Sequence, residues 1–259
     1  MDSDPTGKSA RAQKDQALFD EIAQSYVRKD LIASSQIARR QRLLSTLAAV
    51  PGASFKRVLE VGCGAGFTLQ YAGEAFESYV GIDYSQKLID YATANLETDR
   101  HAFHCCDAFD FQPSAPFDLV LMIGVLHHVD DDEKLLRQLK TYLAPGGWLV
   151  ANEPQGANPL IRALRQGRKS LDREFSEDQI EYRASQLEKK YQNAGLANVR
   201  VRGQGVFSTP FAEVPMSPQA LTAPASKLTV SLDRMLESSC QGLVKAVGWN
   251  LVAAGQRAS

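Results

Sequence analysis

Val58-Leu59-Glu60-Val61-Gly62-Cys63-Gly64-Ala65-Gly66 is the stretch that decides the fold. Lys56 to Val61 is a short β-branched run and predicts a strand. The glycines that follow allow a tight turn and let a ligand lie against main chain with no Cβ in the way. A helical stretch around Thr68–Phe76 comes next. Outward from this point, element types alternate. Strands are predicted at Tyr79–Ile82, Ala102–Cys106, Phe117–Ile123 and Trp148–Asn152, and helices at Ser85–Leu96 and Asp130–Leu143. Phe117 to Ile123 is almost wholly apolar, as befits a strand covered on both faces. Strand and helix alternating at this spacing predict an α/β fold, a doubly wound parallel sheet with right-handed crossovers.

Composition narrows the function classes. The chain has 259 residues, 44% hydrophobic and 23% charged, which is an ordinary globular balance. Lys plus Arg total 29 against 30 acids, so no global basic field exists to drive binding to nucleic acid. The longest strongly apolar run, Leu119 to Leu126, is too short to span a bilayer. Cys63, Cys105, Cys106 and Cys240 form no disulfide framework, and the N-terminal residues lack an apolar leader core, so a cytoplasmic protein is expected.

The flanks read differently from the centre. The first fifteen or so residues look like a loose tail. Leu18, Phe19, Ile22, Tyr26 and Val27 then recur at helical spacing, and a second helix is predicted over Ser35–Val50. Beyond Glu153 come a basic amphipathic segment at Asn158–Lys169 and a helix over Ser176–Ala194, with a capping-box spacing at Ser176 and Gln179. A strand is expected at Asn198–Arg202, an irregular loop through Pro210, Pro215, Pro218 and Pro224, a helix at Leu228–Val244 and a final strand at Val247–Ala253.

Three acids give the glycine turn a chemical direction. Asp83, at the end of the second strand, is placed to accept from both hydroxyls of a ribose. Asp107 follows the third strand, within reach of an adenine amino group. Glu60 sets a carboxylate near a cationic group. A dinucleotide fingerprint would require glycine at position 67, where Phe67 stands. The ligand expected is one with ribose, adenine and positive charge. A nicotinamide-dependent oxidoreductase is the runner-up class.

In this order and spacing, Glu60–Gly66, Val80–Ser85, Cys106-Asp107-Ala108, Phe117–Val120 with Val125–Val129, and Leu143–Leu149 resemble the class I S-adenosylmethionine-dependent methyltransferases. The resemblance covers about residues 56–152. It implies a Rossmann-like seven-stranded sheet with the last strand antiparallel. It also implies S-adenosylmethionine as cofactor and S-adenosylhomocysteine as product. Gly62, Cys63 and Gly64 would border the methionine part, with Glu60 supporting that loop. Asp83 would hold the ribose, Tyr84 would pack on the adenine, and Asp107 and Ala108 would meet its edge. Ile123 would flank the reacting methyl. An N-terminal helical lid is implied, with Tyr26 and Arg40 as its expected contacts. His127 and His128, just past the fourth strand, are candidates for a catalytic base, or else they orient the loop.

The resemblance divides the chain into a tail and lid at 1–50, a cofactor-binding core at 51–155, and sheet completion with substrate-recognition elements at 156–259. The expected reaction is methyl transfer to oxygen or nitrogen of a small-molecule metabolite by a monomer or homodimer. A lipid or glycan acceptor and a non-catalytic cofactor-binding protein are the alternatives. No Asn-Pro-Pro-Tyr motif follows the fourth strand, so no nucleic-acid substrate is expected. No integral membrane association is expected either.

No metal is expected. His101, His104, Cys105 and Cys106 are metal-ligand residue types, but Cys105 and Cys106 are neighbours on a strand and diverge to opposite faces, while Asp130–Glu133 suit the first turn of a helix. Arg162, Arg165, Arg168, Lys169 and Arg173 offer a site for a substrate phosphate or carboxylate, for an anionic membrane surface, or simply a solvated face balanced by Glu174–Glu181. Phe207, Phe211 and Met216 are read as either a substrate wall or a surface loop.

Overall fold

The computed structural model describes residues 10–52, 54–169 and 180–258. Seven strands form one sheet: β1 (Phe55–Val61), β2 (Phe76–Asp83), β3 (His101–Cys105), β4 (Phe117–Ile123), β5 (Leu143–Pro154), β6 (Ala197–Gln204) and β7 (Asn250–Gln256). Their order is β3-β2-β1-β4-β5-β7-β6, with β7 antiparallel to both of its neighbours. The order reverses between β1 and β4, which opens a crevice at the carboxyl ends there. Register sets those ends level: Val61 pairs with Ile82 and Met122, and Asp83 with Cys105.

Alternation explains the core. Leu59, Val61, Val120, Met122, Leu149 and Ala151 pack on one face, and Val58, Leu119, Leu121 and Val150 on the other. The central strands therefore read as continuous apolar runs, because both faces are covered. The covering helices are α3 (Phe67–Ala72), α4 (Gln86–Leu96), α5 (Asp132–Tyr142) and α7 (Ala184–Asn193), with α10 (Gln241–Val247) against β6. Ser85 caps α4 through Leu88 N–H at 3.4 Å, and Asp131 caps α5 through Lys134 N–H at 2.9 Å.

The flanks depart from expectation in instructive ways. Helix α1 runs from Ala10 to Leu31, so residues 10–15 are helical rather than a loose tail. Phe19, Ala23, Tyr26 and Val27 form its inward face, packed on Ala65, Phe67 and Leu88. Helix α2 spans Ala33–Leu47. The Pro-rich segment is not irregular: it contains α8 (Thr209–Glu213) and the start of α9 (Gln219–Ser239), which carries Pro224 inside it. Proline there forfeits one hydrogen bond, and packing of α9 on α2 outweighs that loss, with Ser226 Oγ donating to Ser34 O at 2.8 Å and Arg234 to Gln41 at 2.6 Å. Cys240 separates α9 from α10, where one helix was expected. Pro145-Gly146-Gly147 lies inside β5 as an irregularity opposite Phe117–Leu119 rather than as a turn before it. The final strand begins at Asn250, three residues later than expected. Helix α6 (Pro159–Lys169) holds the basic segment, while Arg173, Ser176 and Gln179 lie outside the described residues. Among the described residues no helix is long and apolar enough to cross a membrane.

Candidate active site

The glycine turn is held by the strand beside it. Gly62 and Cys63 N–H both donate to Ile82 O, at 2.8 and 3.1 Å. Gly62 has φ +70°, and a Cβ there would lie 2.5 Å from Val125 Cγ2. Gly64 has φ +53°, and its N–H donates to Asp83 Oδ2 at 2.9 Å. The other oxygen of Asp83 accepts from Ser85 N–H at 2.9 Å. A carboxylate can take about four hydrogen bonds, so Asp83 retains acceptor capacity toward the crevice. Burial pushes its pKa up, against the pull of these N–H groups.

Two cavities meet above the turn. The larger, about 630 Å³, is walled by Gly62, Gly64, Asp83, Tyr84, Asp107, Ala108, Ile123, Tyr26 and His128. The smaller, about 300 Å³, is walled by Glu60, Cys63, His127, Asn152, Trp249 and residues of α2 and α8. Phe19, Tyr26, Gly62, Ile123, Gly124 and His128 belong to both walls, so this set marks the passage between them. Thus most sequence-predicted residues converge on one space, while Glu60, Cys63 and His127 border only the adjoining one.

Arg40 borders neither cavity and is a correction. It is exposed, its Nε donating to Tyr71 O at 3.3 Å. Arg39, one residue away and so rotated about 100° around the helix, is the one turned inward. Its guanidinium lies 5.2 Å from the Tyr26 ring centroid and pairs with Asp30 at 2.5 Å. Of the predicted Pro-segment wall, Phe207, Phe211 and Met216 do not line the smaller cavity; Thr209, Pro210 and Glu213 do.

Glu60 is buried and accepts from Thr68 Oγ1 at 2.8 Å and from the Tyr79 hydroxyl. Burial dominates and raises its pKa to about 7 from 4.5. The protonated form is therefore favoured by folding. Its contribution to stability is complete below pH 4.5 and is lost as pH rises through about 7. Urea unfolding of the cofactor-free protein should show stability falling across that window, by up to about 3 kcal/mol from this group. Glu60→Gln should flatten the fall, and an unchanged slope would contradict the assignment.

The two histidines have separate anchors. His127 is buried, its Nδ1 donating to Glu153 at 2.7 Å, and burial lowers its pKa and keeps the ring neutral. Glu153, wholly buried, also accepts from the backbone N–H of Val125, Leu126 and His127 at 3.0, 2.9 and 3.3 Å. His128 Nδ1 donates to Asp15 of α1 at 3.0 Å, and its ring meets Phe19 edge-on at 5.7 Å. Since a carboxylate only accepts, Nε2 of His128 is left as the basic nitrogen. Helix α1 is also tied down by Ser85 Oγ donating to Asp20 at 2.5 Å and by Arg11 donating to His127 O at 2.6 Å. Sequence reasoning missed Asp15, Arg39 and Glu153. Only Glu153 carried a signal, a lone acid near the end of a buried strand.

Fold and crevice place the chain among doubly wound α/β proteins with a nucleoside-sized cleft at the switch point. The family described as a methyltransferase domain matches residues 30–201, more than half of the 259. The chain belongs to the class I S-adenosylmethionine-dependent methyltransferases. Ubiquinone biosynthesis O-methyltransferase of Bradyrhizobium diazoefficiens is 29% identical over 153 residues, covering 58% of this chain and 55% of that protein. The chain spans about half the length of this relative and of its namesake from another Bradyrhizobium strain, and 3% of a fumosorinone synthetase of Cordyceps fumosorosea that it also matches. A solved S-adenosylmethionine-dependent methyltransferase from Thermotoga maritima superposes with TM-score 0.66 at 18% identity, over 94% of this chain and 99% of that one. The N-methyltransferase NodS of Bradyrhizobium japonicum, solved with S-adenosylhomocysteine, superposes with TM-score 0.51 at 17% identity, over 84% and 85%. At these identities the likeness to solved structures is one of fold.

Proposed function

We propose that the protein transfers a methyl group from S-adenosylmethionine to oxygen or nitrogen of a small-molecule metabolite. The observation that carries this reading is the pair of cavities sharing one wall at Gly62, Ile123, Gly124 and His128. The residues present fit the cofactor: a carboxylate at Asp83 at the end of β2, and a turn whose Gly62 and Gly64 have positive φ, where an added Cβ would press on Val125 and touch Tyr26 of the cavity wall. S-adenosylmethionine supplies a methyl already activated by its sulfonium. Asp83 holds the ribose, Tyr84 packs on the adenine, and Asp107 with the Ala108 N–H meets the base edge. Phe19 and Tyr26 of the lid exclude water and align the two reactants, and alignment of this kind is worth about 7–11 kcal/mol. A cavity of about 300 Å³ sits at the lower end of ligand pockets, which favours a metabolite over a lipid tail or glycan.

Where the acceptor must lose a proton, His128 Nε2 takes it, with Asp15 orienting the ring. His127, held by Glu153 and neutral, positions the loop instead. His128→Ala should lower kcat by about a hundredfold while cofactor affinity stays within about twofold of wild type. Asp15→Asn should move kcat the same way by less. Full kcat in His128→Ala would remove the base assignment. The reading as a whole is tested by incubating the protein with labelled methyl donor and cell extract. Label should enter the dialysable fraction, where mass spectrometry identifies the product. Label confined to macromolecules, or none despite cofactor binding, would overturn it.

A further inference from the structure

Helix α9 turns its polar side inward and its leucines outward. Its buried positions are Ser226, Val230, Asp233 and Glu237, spaced as one helical face. Asp233 accepts from the N–H groups of Val206, Phe207 and Ser208 at 3.0, 3.0 and 2.9 Å, and Glu237 accepts from Gly205 N–H at 2.9 Å. The opposite face carries Leu221, Leu228, Leu232 and Met235, which are 70%, 63%, 36% and 57% exposed, with exposed Ala225 between the first two. A helix on the surface of a globular protein ordinarily shows the reverse distribution.

The outward stripe has the geometry of a seam between helices. Leu221, Ala225, Leu228, Leu232 and Met235 follow one another at alternating intervals of four and three residues, which is the a/d repeat of paired helices. Uncharged residues flank the stripe: Pro224, Ser231 and Ser238 on one side, Thr222 and Thr229 on the other. The two acids of α9 are buried, and its two bases, Lys227 and Arg234, lie roughly 120° or more around the helix from the stripe. Such a face offers nothing to a charged partner, whereas it meets an identical copy of itself without like-charge repulsion, as a twofold interface requires. The four large side chains expose on the order of 400 Å². A standard interface takes about 800 Å² from each partner, rather more than half of it apolar, so the stripe supplies most of what a dimer needs. A helix lying on a membrane would instead carry aromatic side chains and a dense basic face, and α9 has no Phe, Tyr or Trp.

We propose that the outward face of α9 is the surface through which two copies of this chain pair, with Leu228 at the centre of the seam. The pairing helix also holds the 206–208 segment that leads into α8, so the second copy braces the α8 wall of the smaller cavity. The test is sedimentation velocity of the full chain over a concentration series, beside Leu228→Glu and Leu232→Glu. Wild type should run at twice the chain mass in the micromolar range. Leu228→Glu should weaken dimerisation at least about tenfold, because pairing would bury a charge without a partner. Leu232→Glu should do the same, and it serves if Leu228→Glu fails to fold. Both side chains are exposed in the single chain, so the circular dichroism of the variants should match wild type. Vesicles of phosphatidylserine and phosphatidylcholine should leave the wild-type dimer in solution. A wild type that stays monomeric up to about 100 µM, or a dimer unmoved by the substitutions, would overturn the proposal. So would vesicles that capture the wild type but not Leu228→Glu, which would make the stripe a membrane-binding face.

Discussion

Substitution of Asp83 by alanine is expected to weaken S-adenosylmethionine binding by about a thousandfold. Two hydrogen bonds from ribose hydroxyls to a carboxylate are worth about 1.5–3 kcal/mol each, and 1.4 kcal/mol is tenfold in affinity. The same side chain fixes Gly64 N–H, so the glycine cradle loses its brace together with the ribose anchor. Stability should change far less than affinity. Burial raises the pKa of Asp83, so removing it relieves a desolvation cost that offsets the lost contacts to Gly64 and Ser85. Calorimetric titration alongside urea unfolding separates the two effects. Affinity of Asp83→Ala within about fivefold of wild type would refute the ribose role; a tenfold loss is only 1.4 kcal/mol.

Glu153→Ala is the second large effect, and it acts on the fold. The carboxylate is 0% exposed and accepts from three consecutive backbone N–H groups and from His127 Nδ1. Alanine leaves those donors buried without partners, at about 1–3 kcal/mol apiece. A net loss of at least 3 kcal/mol is expected, roughly a third of the stability of an ordinary domain. Glu153→Gln should lose less, because its carbonyl oxygen still serves Val125 and Leu126 while its amide nitrogen faces donors. The same loop carries Gly124 and His128, so any Glu153→Ala protein that folds should also turn over slowly. Unfolding curves for the two variants that coincide with wild type would contradict this account.

What was legible in the sequence is what local chemistry determines. A parallel sheet covered on both faces demands apolar runs such as Leu119–Ile123, and a turn with φ of +70° and +53° demands Gly62 and Gly64. Asp83 was readable because its place follows from the strand that ends there. Partners joined by tertiary structure were not readable. Asp15 and His128 are 113 positions apart, and nothing in either segment announces the other. Arg39 and Arg40 are one residue apart on a helix, which is enough to turn one side chain to the cavity and the other to solvent. The prolines of residues 210–224 were weighed by local propensity, which the long contact between α9 and α2 overrides.

Strand β7 has a consequence for the order in which the molecule becomes competent. Among the described residues it is the last strand in sequence, yet it lies between β5 and β6 and alone pairs with β6. During synthesis the edge of β5 must wait, unpaired and open to mispairing with other chains, until β7 arrives. The residues that enter with it, Trp249 and Asn250, also close the wall of the smaller cavity. A nascent chain can therefore assemble the Asp83 side of the crevice before the smaller cavity has its full wall. Completion of that cavity and closure of the sheet are one event.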